Sequence, residues 1–141
     1  MASIFLDLDG TLTDPKVGIT QSVIYALTEL GIAAPHPDEL EWVIGPALLD
    51  SFARLGAPDP QAALDLYRTR YTRVGLFENH VYPGILEVLE KLVGDGHTLY
   101  LATAKPHVYA TKITAHFGLS RWLRQEFGPE LDGTRNNKGD L

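Results

Sequence analysis

Apolar positions in this 141-residue chain change period twice. Ser3 to Leu8 (SIFLDL) is a short, mostly apolar run that reads as a strand buried on both faces, as strands of parallel sheets are. It stops at Gly10, and Asp14-Pro15 reads as a turn or helix entry. From there the spacing turns helical. Val17, Val23, Ile24, Leu27 and Leu30 mark a helix over about residues 16–30, with Gly31 as its stop. The break at Pro35 and Pro37 precedes a short helix at about 38–44, and Pro46 is expected to open another that runs to about Leu55. After the GAPDP loop (56–60), residues 61–76 read as helix through Ala63, Leu66, Tyr67, Tyr71 and Val74.

Beyond Val81-Tyr82-Pro83-Gly84 the two periods alternate. A helix at 85–93 leads into a strand at 97–102 (HTLYLA), and a loop at 103–106 leads into a helix at 107–117. A short helix and strand are expected within 122–127, and the sequence from Gly128 is polar and loop-like. One strand, some four helices and then an alternation imply an α/β fold. Its Rossmann-like parallel-sheet core spans 1–14 and 81–141, and a helical insert occupies 15–80.

Composition narrows the class. Hydrophobic residues at 45% and charged residues at 21% suit a globular chain that buries a core. The net charge of −6 and the absence of a basic stripe argue against nucleic acid as a partner, so an anionic substrate needs local donors. No apolar run reaches the roughly 20 residues of a membrane span, and the first strand is broken by two acids, unlike a signal peptide. With no cysteine, disulfides and thiolate metal sites are excluded, and a cytoplasmic protein is the expectation.

Chemistry concentrates in Asp7-Leu8-Asp9-Gly10-Thr11-Leu12-Thr13-Asp14, at the C-terminal end of the first strand. Carboxyl ends of parallel strands are where α/β folds place ligands. Asp7 and Asp9, two apart, share a face and repel. Either a divalent cation offsets them, or one takes up a proton. The first outcome gives a metal-bound nucleophile and the second a general acid. Gly10 lets the backbone turn beneath a phosphate. Thr103, after the 97–102 strand, reads by itself as an ordinary helix N-cap more often than as a phosphate ligand assisted by the amides of Ala104 and its neighbours. Lys105 reads as a solvated loop lysine or a second phosphate contact, and Lys138 by itself reads as a solvated tail lysine.

DLDGTLTD matches the DxDGTLxD signature and resembles the haloacid dehalogenase superfamily of phosphatases, in its phosphoglycolate phosphatase-like branch. The resemblance implies Asp7 as nucleophile forming an aspartyl-phosphate. Asp9 becomes the acid/base, and both join the shell of a Mg2+ ion. It further implies Thr103 as the hydroxyl of the second signature and Lys138, in LDGTRNNK, as the lysine offsetting charge at the phosphate. The insert becomes a helical cap that closes over the site and selects substrate. Its Val43-to-Leu49 loop reaches toward the leaving group, and Arg54 either meets a substrate carboxylate or second phosphate or is a surface charge. Trp42, Phe52, Tyr67 and Tyr71 read as cap core rather than a binding platform, and no histidine is given a role.

The family pattern has a fourth, acidic signature that nothing after Lys138 supplies, so the expectation is a core truncated before it, with an open sheet edge beside the first strand. The expected function is Mg2+-dependent hydrolysis of a small phosphorylated metabolite, with 5′-nucleotidase, pyrophosphatase and phosphosugar mutase as relatives that the motifs do not separate. The alternative is a catalytically incomplete fragment that binds phosphate or self-associates through that edge.

Overall fold

In the computed structural model, residues 1–131 are described. They form an α/β fold whose chain divides into two compact units, one of residues 1–14 with 80 onward and the other of 15–79.

In the first unit, β1 (Ser3–Leu6), β4 (Thr98–Ala102) and β5 (Leu123–Phe127) form a parallel sheet in the order β1-β4-β5. Helix α4 (Ile85–Gly94) leads into β4, and α5 (His107–His116) carries the chain from β4 to β5. Such crossovers are what parallel neighbours require. The register sets Ile4 beside Leu99 and Leu6 beside Leu101. Leu99 and Leu101 are fully buried, with Leu89 of α4 and Ile113 of α5 also in the core.

The expectation that β1 is buried on both faces is corrected. Its burial alternates, and Phe5 is 61% exposed while stacking on Tyr100 with ring centroids 5.0 Å apart. Among the described residues β1 pairs with β4 alone, so the aromatic face finds cover in its own rings rather than in a packed layer. A two-stranded antiparallel ladder, β2 (Thr13–Asp14) with β3 (His80–Val81), was not foreseen. Two-residue strands carry no period to detect.

The second unit is helical: α1 (Lys16–Glu29), α2 (Leu48–Arg54) and α3 (Pro60–Arg73). Asp59 caps α3 by accepting from the Ala62 amide, with Pro60 in the first turn. Val23, Leu27, Phe52, Tyr67 and Tyr71 fill the core, with Tyr67 stacked on Tyr71. The helix expected at 38–44 is instead two 3-10 turns, Pro37–Glu39 and Glu41–Val43. Pinning explains the difference: Lys16 grips Asp38 at 2.7 Å and Glu41 at 3.0 Å while Leu40 and Val43 are buried, which leaves too few residues to repay α-helical nucleation. Pro46 does not open α2, since Ala47 after it is extended and the helix starts at Leu48.

The ends of this unit meet at two glycines. A Cβ on Gly18 would lie 2.0 Å from the Gly75 carbonyl oxygen, and the Gly18 amide donates to the Glu78 carbonyl at 3.0 Å. Beside them the Arg70 guanidinium donates to both Glu78 carboxylate oxygens, at 2.7 and 3.1 Å, and to Ser22 Oγ.

Candidate active site

Because β1 and β4 run parallel, the segments that leave their C-terminal ends emerge on the same side of the sheet. Asp7 follows β1 directly and accepts from the Leu8 amide through Oδ1 at 2.7 Å. The chain then turns tightly. The buried Leu8 offers its carbonyl to the amides of Thr11, Leu12 and Thr13, and the Gly10 amide donates to the Thr13 carbonyl at 2.8 Å. Gly10 takes φ of +81°, which a side chain would oppose.

Asp9 is the electrostatic centre of this turn. Its Oδ2 lies 3.1 Å from Lys105 Nζ, and the two side chains are only 18% and 7% exposed. Its Oδ1 is buried with no hydrogen-bond partner among the described residues. Burial pushes the Asp9 carboxyl above its ordinary range; the Lys105 ammonium works against that rise, and the Asp7 charge adds to it. Asp9 is thus poised to hold a proton more readily than an exposed aspartate does.

Thr103 follows β4, 2% exposed, with its amide donating to the Phe127 carbonyl at 3.1 Å. Its Oγ1 accepts from the Lys105 amide at 3.1 Å, so the hydroxyl shapes the loop that carries the lysine. Ala104, between them, is exposed. The loop thus joins Thr103, Lys105 and Asp9, and Lys105 sits in a buried ion pair, not in solvent. Lys138 lies outside the described residues. Arg54 lies in the helical unit, over the Trp42 ring.

Two supports were missed. A Cβ on Gly128 would come within 2.8 Å of the Lys105 carbonyl oxygen, and the Pro129 carbonyl accepts from the His107 amide at 2.7 Å. The segment after β5 therefore backs the Thr103–Lys105 loop. The signal available was a glycine directly after a strand, a common mark of close backbone approach. Among the described residues no group of three or more acidic or imidazole side chains gathers as a metal cluster, and no helix is long and apolar enough to cross a membrane.

Comparison with known proteins adds a lineage to this geometry. The family model described as "Haloacid dehalogenase-like hydrolase" matches residues 4–127. A 5′-nucleotidase of Pseudomonas aeruginosa is 51% identical over 142 residues, covering 99% of this chain and 64% of its own length. The tyrosine-protein kinase PtkA of Mycobacterium tuberculosis is 32% identical over 139 residues, 98% of this chain and 48% of its own. The crystal structure of a predicted phosphatase from Clostridium acetobutylicum superposes with a TM-score of 0.88 at 39% identity, covering 99% of this chain and 65% of that one. The chain thus spans from about half to just under two thirds of the length of these relatives.

Proposed function

This chain belongs to the haloacid dehalogenase-like hydrolases, and on that premise we propose that it hydrolyses small phosphomonoesters through an aspartyl-phosphate on Asp7. The observation that carries the proposal is Asp9: a buried carboxyl two residues from Asp7, with a raised pKa, one oxygen on Lys105 and the other unspent.

In this reading an Asp7 carboxylate oxygen attacks phosphorus as the ester P–O bond breaks, and protonated Asp9 gives its proton to the leaving alkoxide. Asp9, now a carboxylate, takes a proton from water. That water attacks the acyl phosphate, releasing inorganic phosphate and restoring Asp7. The Thr103 hydroxyl and the Ala104 amide hold non-reacting phosphate oxygens, with Gly10 allowing close approach. Lys105 keeps Asp9 oriented and sets a positive charge beside the phosphate, a role Lys138 shares.

The oxygen donors present suit Mg2+, a hard cation that accepts one or two carboxylates and takes water and phosphate for its other positions. Asp7 would hold it through its carboxylate and Asp9 through its backbone carbonyl, so that the Asp9 carboxyl, whose buried Oδ1 has no hydrogen-bond partner among the described residues, keeps its proton-transfer role. When bound, the ion neutralises charge between nucleophile and phosphate.

The substrate class we favour is the 5′-mononucleotide, following the relative at 51% identity, with phosphoglycolate as the comparison substrate. A transferase reading, taken from the kinase relative at 32% identity, would use the same two acids but pass the phosphoryl group to a phenol instead of water. A chain that binds phosphate and associates through the free side of β1 is the third possibility, since β1 pairs with β4 alone among the described residues. Phosphate release from p-nitrophenyl phosphate, GMP and phosphoglycolate, with magnesium or with EDTA, separates hydrolysis from the other two. Hydrolysis requires magnesium-dependent release, and its absence from folded chain sinks the proposal.

A further inference from the structure

Within the first unit, Arg121 and Trp122 of the 3-10 turn that leads into β5 line two neighbouring hollows. One of them also contains the acidic Glu87 and Glu90. The other, of about 240 Å3, has no acid in its lining. Leu99, Leu123 and the Trp122 indole give it an apolar wall, and Arg121 and Arg124 make it cationic. The sheet brings Arg124 there through a bulge. Where β4 advances one residue, from Leu99 to Tyr100, β5 advances two, from Leu123 to Gln125. Arg124 is the extra residue, and a bulge of this kind re-aims a side chain. Both arginines are exposed, and among the described residues neither makes an ion pair or a hydrogen bond. In a chain of net charge −6, this hollow is a local exception of positive sign.

We propose that the acid-free hollow binds a small aromatic carboxylate, a ligand independent of the hydrolase reading above. Two guanidiniums beside one cavity repel, and an anion between them removes that repulsion. The planar fork of each matches a carboxylate's two oxygens. The leucines and the indole then cover an apolar body, which a bare anion would not supply. The volume falls below the roughly 300 Å3 at which ligand pockets usually begin, so one or two rings fit and a nucleotide does not. The hollow takes in Thr98 and Leu99 at the start of β4, whereas Thr103 follows the end of that strand. At about 3.3 Å per residue the two places are about 13 Å apart, too far for such a ligand to touch both.

Amide resonances of the 15N-labelled parent chain locate the ligand without any substitution. The chain is titrated at pH 7 with 2-naphthoate, with 2-naphthylmethanol, which lacks the charge, and with acetate, which lacks the rings. The expected result is saturable shifts centred on residues 97–99 and 121–124 with 2-naphthoate, at a Kd under about 1 mM. Both controls should bind at least about tenfold more weakly. Arg121→Gln and Arg124→Gln, each with a native spectrum, should each weaken 2-naphthoate at least about fivefold. The proposal is overturned if those residues do not shift by about 10 mM 2-naphthoate, or if the largest shifts fall on the Thr103–Lys105 loop. A control that binds as well as 2-naphthoate overturns it equally, as does unchanged affinity in folded Arg124→Gln.

Discussion

Replacing Lys105 by methionine keeps the shape of a long unbranched side chain and removes its charge from Asp9. At an N···O distance of 3.1 Å the lost attraction is about 5 kcal/mol in an effective dielectric near 20. The penalty need not reach that figure, because Asp9 can take up a proton instead. From the ordinary value of 3.8, protonating it at pH 7 costs about 4 kcal/mol, at about 1.4 kcal/mol per pH unit. Part of the cost of burying Asp9 is already present in the parent, so the expected destabilisation is about 3 kcal/mol at pH 7, within the range for breaking a buried pair. The sign with pH follows from proton binding. A carboxyl whose folded pKa is raised contributes most below its unfolded value, and that contribution is lost as pH rises toward the folded one. Removing Lys105 lifts the folded value further and widens that window. Parent and variant should converge near pH 4 and part as pH rises. Urea unfolding of both at pH 4.5, 6 and 7.5 measures this directly. A difference under about 0.5 kcal/mol at pH 7.5, or one that does not change with pH, would refute the buried pair.

Two further substitutions test other parts of the molecule. Thr103→Val leaves the Lys105 amide without its acceptor and should lower stability by about 1 kcal/mol. It should also cut kcat/KM for phosphomonoesters about 100-fold in protein that remains folded, while Thr103→Ser stays near parent. Gly18→Ala drives a methyl group against the backbone carbonyl of Gly75, which cannot swing aside as a side chain would, and should cost about 3 kcal/mol in the urea unfolding of the helical unit. Gly75→Ala, which meets Ser22 Oγ and a ring edge of Tyr71 at 2.8 Å, should cost less.

The sequence is most legible where one period runs long enough to be unambiguous. Helix α1 was expected at about 16–30 and occupies Lys16–Glu29, and β4 was expected at 97–102 and occupies Thr98–Ala102. It was least legible where long-range contacts decide. The 3-10 turns at 37–43 depend on Lys16, more than twenty residues away. The exposure of Phe5 depends on which strands flank β1, which a run of apolar letters does not encode. At the candidate site, the acids were visible because the whole run DLDGTLTD follows an apolar strand, where a bare D-x-D would more often be a pair of acids capping a strand and turn. The pairing of Lys105 with Asp9 was not, since the two meet across ninety-six positions through the β1–β4 register. Gly128 escaped notice because its importance is the space it leaves for Lys105.

The most direct test of the central claim is magnesium-dependent phosphate release from GMP and p-nitrophenyl phosphate by the parent chain and by Asp7→Asn. The nucleophile assignment predicts turnover in the parent and a loss of at least about 1,000-fold in a variant that remains folded. Turnover in Asp7→Asn within tenfold of the parent would contradict it, because an amide in place of the carboxylate has no oxyanion with which to attack phosphorus.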